Sequence, residues 1–303
     1  MPSNLLNKYV WLLDTIHRAG RISFEEIDRR WRSNYLSNGE PLSKRKFHKW
    51  RIAIEEIFSI IIDNENMGEY RYYISNDKEI KQGGLRSWLI STISVSNILM
   101  NNQSIKDRIL LEDIPSGRQY LPPILESIRE NRCIVISYQS FWHEEPDSFS
   151  VAPYCVKMFK QRWYLIAHSS KYDEIRIYSL DRIQNIEKSE QSFVLPKDFS
   201  AENFFYGCYG IIANEDTPIE TVILRVRADQ AKYLRSLPLH SSQCEISHNE
   251  ECSIFEYSLR PTYDFMQEIL SHGADVEVIA PQDFRKRIEE CIQAMNRIYH
   301  PEI

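Results

Sequence analysis

The sequence predicts an α+β protein built from several domains, and three observations support this fold class. The chain has 303 residues, of which 43% are hydrophobic, and this supplies enough apolar side chains for two or three separate cores. Residues 1–78 show apolar periodicity at helical spacing, whereas residues 133–187 contain short β-rich runs separated by polar turns. Strand and helix patterns then alternate from residue 221 onward.

The first three elements are predicted to be helices. Apolar residues recur at helical spacing from Leu5 to Ile16. A second helix is expected after Ser23 and reaches about residue 34, because an N-cap serine with Glu26 three residues later forms a capping box. A third helix is expected from Lys44 to about Phe58, with Ser43 as its N-cap.

A hairpin and a linker are predicted to follow these helices. Residues 60–62 and 70–74 are β-rich and flank a segment with the composition of a turn. Three helices followed by a hairpin is the order of a winged helix-turn-helix domain, which we assign to residues 1–78. Residues 79–117 are predicted to form a helical linker.

A small, mostly antiparallel β domain is predicted at residues 118–213. A short helix is expected from Leu121 to Asn131. Alternating or wholly apolar runs then predict five strands, at residues 133–138, 149–156, 162–167, 174–180 and 182–187.

A C-terminal α/β extension is predicted at residues 214–303. It is expected to open with a strand at residues 221–226 and a helix from about Asp229 to Leu237. Two strands and a final helix, from Pro281 to about Tyr299, are predicted to complete it.

Positive charge is concentrated near the amino end. The net charge is −6, yet residues 1–78 contain 13 Lys and Arg against 11 Asp and Glu, which gives +2 there and −8 for the remainder. The run of residues 44–51 holds five permanent positive charges and no acidic residue. The third predicted helix is therefore the strongest candidate for an anionic partner.

This helix is predicted to lie in the major groove of duplex DNA, which is wide enough for one helix. Arg45 and Lys49 are assigned to base contacts, and Lys44 and Arg51 to phosphates. Phe47 and Trp50 are assigned to an apolar stripe on the side of this helix that faces the core. A merely solvated helix face is the alternative. The candidate DNA-binding residues are Lys44, Arg45, Lys46, His48, Lys49 and Arg51, together with Arg71 on the hairpin.

The segment Trp163-Tyr164-Leu165 resembles the motif of the WYL domain found in bacterial transcription factors. It is followed by an Arg176-x-Tyr178 strand and by residues 180–183, Leu-Asp-Arg-Ile. Further matching motifs occur in the expected order at residues 136–138, 151–154 and 204–211. Motifs in the C-terminal stretch are similar to the extension that commonly follows WYL domains, so the resemblance covers about residues 118–299. The N-terminal helices are similar to those of winged-helix members of the family.

The resemblance implies a small Sm-like or SH3-like β-barrel that binds a nucleotide or a short single-stranded nucleic acid. Arginine forks and aromatic faces are suited to phosphates and bases. Part of the Trp163 segment must face the core, and Arg182 could instead form an ion pair with Asp181 or Glu187. The candidate effector-binding residues are Tyr138, Tyr154, Arg162, Trp163, Arg176 and Arg182. Tyr138, Arg176 and Arg182 match the family's motif most directly.

An enzyme, a metal site and a cofactor are not expected. The sequence lacks a nucleophile elbow, a zincin motif and a phosphate-binding glycine loop. Residues 143–147 have the composition of a solvated turn. His240, Cys244, His248 and Cys252 are uniformly spaced, but residues four apart in a strand are about 13 Å apart, too far for one zinc ion.

The sequence therefore favours a cytoplasmic, ligand-responsive transcriptional regulator of bacterial type that binds DNA as a homodimer, without a membrane anchor. One alternative is a WYL accessory protein that binds nucleic acid directly and regulates a partner enzyme. A second is a nuclease or nucleotide-processing enzyme that uses Glu144, Glu145 and Asp147. The operator, the effector's identity, the sign of regulation and the pathway do not follow from the sequence.

Overall fold

The computed structural model describes residues 3–65, 70–76, 84–102, 107–110, 112–213 and 216–300. The chain divides into two compact units, Met1–Glu112 and Asp113–Ile303. The turn of the predicted hairpin, the first residues of the predicted linker and part of the loop before the C-terminal extension lie outside the described residues. No helix in the described segments is both long enough and apolar enough to cross a lipid bilayer.

Three helices form the start of the amino-terminal unit, as the sequence predicts. Both predicted N-caps are confirmed, because the hydroxyls of Ser23 and Ser43 accept hydrogen bonds from the amides of Glu26 and Lys46, each at 3.2 Å. The helices are α1 (Ser3–Ala19), α2 (Phe24–Arg32) and α3 (Lys44–Phe58).

An antiparallel hairpin follows, with strands β1 (Ile62–Asn64) and β2 (Tyr72–Ile74). The first strand begins two residues later than predicted, and Ile60 belongs to the buried core of the unit. Ile22 also pairs with Tyr72, and their backbone amides and carbonyls exchange hydrogen bonds of 3.0 and 2.7 Å. The segment between α1 and α2 is thereby fixed to the hairpin.

The core of this unit lies between the three helices and the hairpin. Phe47, Trp50 and Ile54 of α3 are buried against α1 and α2, which confirms the predicted core role of the two aromatic residues. The linker region contains helix α4 (Gly84–Asn101), which packs on α1. Buried Asn97 of α4 donates a hydrogen bond of 2.9 Å to the carbonyl of Asn7.

The second unit begins with helix α5 (Leu121–Glu130), followed by five antiparallel strands in the order β6-β5-β4-β3-β7. Strands β6 and β7 at the two edges form no ladder with each other, so among the described residues the sheet is open and the closed barrel implied by the resemblance is not observed. The strands are β3 (Arg132–Tyr138), β4 (Asp147–Phe159), β5 (Arg162–Ser169), β6 (Glu174–Ser179) and β7 (Ile183–Ser192).

The sheet is nevertheless strongly curled. The backbone amide of Ser179, at the end of β6, donates a hydrogen bond of 3.3 Å to the hydroxyl of Tyr138 on β3. Strands β6 and β3 are three places apart in the sheet, and neighbouring strands are about 4.8 Å apart in a flat sheet. This curvature brings the ends of both strands and the turn of residues 180–182 to one place.

The C-terminal part contains a four-stranded antiparallel sheet in the order β11-β8-β10-β9. Two differences from the prediction occur here: three strands follow the first one, and an additional helix precedes the last strand. That helix, Tyr263–Ser271, has nine residues and buries Phe265 and Ile269, so its apolar periodicity is too short to predict a helix from the sequence. The elements are α6 (Ala201–Phe204), β8 (Glu220–Arg227), α7 (Ala228–Ser236), β9 (Cys244–His248), β10 (Cys252–Leu259), α8 (Tyr263–Ser271), β11 (Val276–Ala280) and α9 (Gln282–Tyr299).

The two sheets of the second unit are joined by aromatic contacts. The ring of Tyr209 lies 5.6 Å from that of Phe159 on β4 and 5.4 Å from that of Phe265 on α8. An ion pair of 2.7 Å between Lys160 and Glu268 lies at the same junction. The β-rich domain and the C-terminal domain therefore share one compact unit.

Candidate nucleic-acid-binding sites

Helix α3 presents its cations to solvent. Its apolar stripe is buried, and this orients the opposite side of the helix outward. Arg45, Lys46 and Lys49 form no ion pair or side-chain hydrogen bond with the residues that the structure describes. The side chains of Lys44, Arg45, Lys46, His48 and Lys49 are all exposed, and this set is called the α3 cationic face below.

Arg51 has a different position from the other cations of α3. Its guanidinium donates a hydrogen bond to the carbonyl of Ile62 and lies 5.3 Å from the ring centre of Tyr72. It is only partly exposed. Arg51 therefore connects α3 to the hairpin, and this contact occupies the side chain that the sequence assigned to phosphate.

Arg71 is exposed directly before β2. Its carbonyl accepts a hydrogen bond of 3.0 Å from the amide of Glu65, which extends the hairpin ladder by one pair. The tip of the hairpin lies outside the described residues. Arg71 belongs to the same compact unit as the α3 cationic face.

In the second unit, Arg182 and Tyr138 lie side by side. The guanidinium carbon of Arg182 is 4.8 Å from the ring centre of Tyr138 and 3.8 Å from that of Phe141. Its Nε donates a hydrogen bond of 3.0 Å to the carbonyl of Gln139. Burial raises the pKa of the Tyr138 hydroxyl, and the nearby Arg182 opposes this shift. The site therefore combines a neutral phenol with a permanent cation.

Arg162 is held by Asp181. Its terminal nitrogen lies 2.5 Å from the carboxylate of Asp181, whose side chain is only 9% exposed. Asp181 also accepts a hydrogen bond from the hydroxyl of Ser179. Asp181, which the sequence analysis considered as an ion-pair partner of Arg182, therefore pairs with Arg162 instead. Through these contacts Asp181 orders the turn that carries Arg182.

Arg176 lies at the other end of an aromatic row that crosses the curled sheet. Its guanidinium carbon is 3.6 Å from the ring centre of Tyr172, and a terminal nitrogen pairs with Glu174 at 2.5 Å. The row consists of Tyr138, Tyr178, Phe149 and Tyr172, with successive ring centres 5.1, 5.6 and 6.3 Å apart. The row connects the surroundings of Arg182 with those of Arg176.

The remaining two candidates lie in other surroundings. Tyr154 packs against Phe199 and Phe193, with ring centres 4.9 and 5.8 Å away. Trp163 is partly buried and packs against the core of the sheet. The structure thus brings Tyr138, Arg176 and Arg182 onto one row, joins Arg162 to it through Asp181, and gives Tyr154 and Trp163 largely structural contacts.

Three residues near this row were missed by the sequence analysis. Phe141 contacts Arg182, Tyr172 contacts Arg176, and Lys171 forms an ion pair with Asp147. Phe141 and Tyr172 lie in loops next to predicted strands. An aromatic side chain in such a loop is the sequence signal that could have identified them as candidates.

No three His, Cys, Asp or Glu side chains among the described residues are placed to hold a metal ion. In the set of evenly spaced His and Cys residues for which the sequence analysis does not expect zinc, the Nδ1 atom of His240 lies 2.7 Å from the hydroxyl of Ser242. Asp147, one of the three acids of the nuclease alternative, is engaged by Lys171.

Two family models match the second unit. Residues 119–188 match the WYL domain, and residues 218–295 match the WCX domain. No curated protein matches the chain.

Two solved structures are similar to most of the chain. Proteasome accessory factor B/C (PafBC) of Arthrobacter aurescens is 17% identical with a TM-score of 0.37, and the match covers 99% of this chain and 47% of that one. The chain therefore spans about half the length of that protein. A CRISPR Cas-related protein is 11% identical with a TM-score of 0.39, covering 99% of this chain and 86% of that one.

Proposed function

Because the chain contains a WYL domain followed by a WCX domain, we propose that it is a nucleic-acid-binding transcriptional regulator. In this proposal the α3 cationic face binds duplex DNA, and the WYL domain senses a nucleotide or a short single-stranded nucleic acid. The regulator has no enzymatic activity of its own. The exposed cations Arg45, Lys46 and Lys49, which have no ion-pair partner among the described residues, are the observation that carries the proposal, because a helix of this kind fits the major groove.

The finer fold assignment belongs to the same proposal. We assign the amino-terminal unit to the winged helix-turn-helix class, since α3 is followed by the hairpin and Ile22 pairs with that hairpin. We assign the curled five-stranded sheet to a partly open Sm-like or SH3-like fold. A homodimer in the bacterial cytoplasm that reads paired half-sites is the proposed biological form.

Duplex binding by the full chain is expected to depend strongly on salt. If a dimer contacts about six to ten phosphates, the affinity falls by about three to five decades between about 50 and 200 mM salt. Fluorescence anisotropy with a labelled fragment of the gene's own upstream region measures the slope. A nearly flat slope would exclude the α3 cationic face as the principal DNA contact.

Effector binding is expected to depend more on Arg182 than on Arg162. Arg182→Ala removes a cation that has no acidic partner among the described residues, and an affinity loss of about tenfold or more is expected. Arg162→Ala leaves nearly buried Asp181 without its cation, so its main effect is expected on stability. Calorimetry with short oligonucleotides and thermal melts of both variants test this. Equal affinity losses without any change in melting temperature would contradict the assignment.

A further inference from the structure

The loop between β3 and β4 presents two adjacent aromatic side chains to solvent. Phe141 is 78% exposed and Trp142 is 91% exposed. Aromatic side chains contribute most to stability when they are buried, so two neighbouring exposed rings contribute little to folding. Such a pair is available for a ligand.

Hydrogen bonds at its base hold this loop in place. The amide of Gln139 donates to the carbonyl of Arg182, and the Nε of Arg182 donates back to the carbonyl of Gln139, both at 3.0 Å. The side-chain amide of Gln139 donates to the carbonyl of His143 at 2.6 Å, and the amide of Trp142 donates to the hydroxyl of Ser140 at 3.2 Å. An anchored loop loses less conformational entropy on binding than a free one.

Arg182 lies between the rings of Phe141 and Tyr138. Its Nε is used by Gln139, whereas its two terminal nitrogens have no hydrogen-bond partner among the described residues. A guanidinium fork can bind a phosphate, and exposed aromatic faces can stack on bases. The arrangement therefore offers both kinds of contact to one ligand.

We propose that Phe141 and Trp142 form a stacking platform for unpaired bases of a single-stranded oligonucleotide of at least two nucleotides, with Arg182 binding a phosphate beside them. This inference rests on the proposed sensing function and specifies its ligand class. Two neighbouring rings provide stacking faces for two bases, which a mononucleotide cannot use together. Bases in a duplex are already stacked on each other, so they cannot use these rings.

Charge alone does not explain binding at this loop. Glu144 and Glu145 follow Trp142 and are exposed, so they repel a polyanion. Stacking is therefore expected to supply most of the binding free energy, and the free energy of stacking does not depend on counterion release. Binding of the single strand should accordingly depend less on salt than duplex binding by the α3 cationic face.

The test compares two labelled single strands of about ten nucleotides, one with bases and one abasic, by fluorescence anisotropy with the full chain. The wild-type protein is expected to bind the base-bearing strand about 100-fold more tightly, which is about tenfold for each ring. The Phe141→Ala/Trp142→Ala variant is expected to lose this preference, with about a tenfold loss for each ring. Tyr233→Ala on α7 is the matched control, because Tyr233 is also well exposed, at 68%.

The possible outcomes separate the platform from the sensing function. Retention of the preference by the double variant overturns the platform and leaves the sensing function intact. Failure of the wild-type protein to bind either strand overturns both the platform and the sensing of a single-stranded nucleic acid. Arg182→Ala should weaken binding of both strands, because it removes a phosphate contact and one of the hydrogen bonds that anchor the loop. The double variant should melt at the wild-type temperature, and a clearly lowered melting temperature would show that the rings stabilise the fold instead.

Discussion

The double charge reversal Arg45→Glu/Lys49→Glu is expected to abolish specific duplex binding. Each substitution removes a cation from the centre of the α3 cationic face and adds a repulsive carboxylate. Loss of a single base or phosphate contact costs about 1–3 kcal/mol, so the two together reduce affinity by at least about 30-fold. Both side chains are exposed and make no ion pair with the described residues, so the fold should be unaffected.

A variant with the same change in charge controls for nonspecific electrostatics. Lys197 and Lys286 are exposed and lie in the second unit, so Lys197→Glu/Lys286→Glu alters the net charge equally without touching α3. Anisotropy with the same duplex at one salt concentration compares both variants with the wild-type protein. Unchanged binding by Arg45→Glu/Lys49→Glu would favour the accessory-protein alternative, in which the helices bind a protein.

Local sequence signals predicted the helices of the amino-terminal unit well. Ser43 and the apolar stripe of α3 define that helix without help from the remainder of the chain, and the structure reproduces its bounds. The orientation of the cations follows from the same stripe, because burial of Phe47 and Trp50 directs Arg45 and Lys49 outward. The N-cap is a contact between residues close in sequence, and the apolar stripe is a local periodicity, so both can be found without knowledge of the fold.

The pairing of individual arginines could not be predicted in this way. The sequence assigns Arg51, like Lys44, to phosphate, but its partner Ile62 is placed by the fold of the hairpin. Asp181 is adjacent to Arg182 in sequence, yet it forms its ion pair with Arg162, because the register of β5 and the turn after β6 place these two side chains together. A cation's availability depends on tertiary contacts, which the sequence pattern does not contain.

The two proposed binding sites rely on different interactions with nucleic acid. The α3 cationic face offers charges on a regular helix, which suits the phosphates and groove of a duplex. The WYL domain offers aromatic rings, few cations that lack an acidic partner among the described residues, and several nearby acids, which suits unpaired bases. One protein could therefore distinguish its operator from its effector by strandedness. Coupling between the sites additionally requires that the effector bind two arrangements of the chain with different affinities.

Phe47→Ala is expected to unfold the amino-terminal unit selectively. Phe47 is fully buried, with ring centres of Phe24 and Tyr72 at 5.4 and 4.6 Å, so the substitution removes contacts to both α2 and the hairpin. Phenylalanine-to-alanine changes in cores cost about 3–5 kcal/mol, a large share of the stability of a small domain. Urea titration followed by tryptophan fluorescence reports this loss, because Trp31 and Trp50 lie in the same core.

Ile52→Ala on the same helix is the control, since Ile52 is exposed and surface substitutions usually change stability by less than about 0.5 kcal/mol. Because the second unit has its own cores, Phe47→Ala should lose duplex binding while it retains binding of single-stranded oligonucleotides. Parallel loss of both activities would mean that the two units fold as one cooperative block. If the variant still bound duplex DNA while its amino-terminal unit was unfolded, α3 would be excluded as the DNA-binding element.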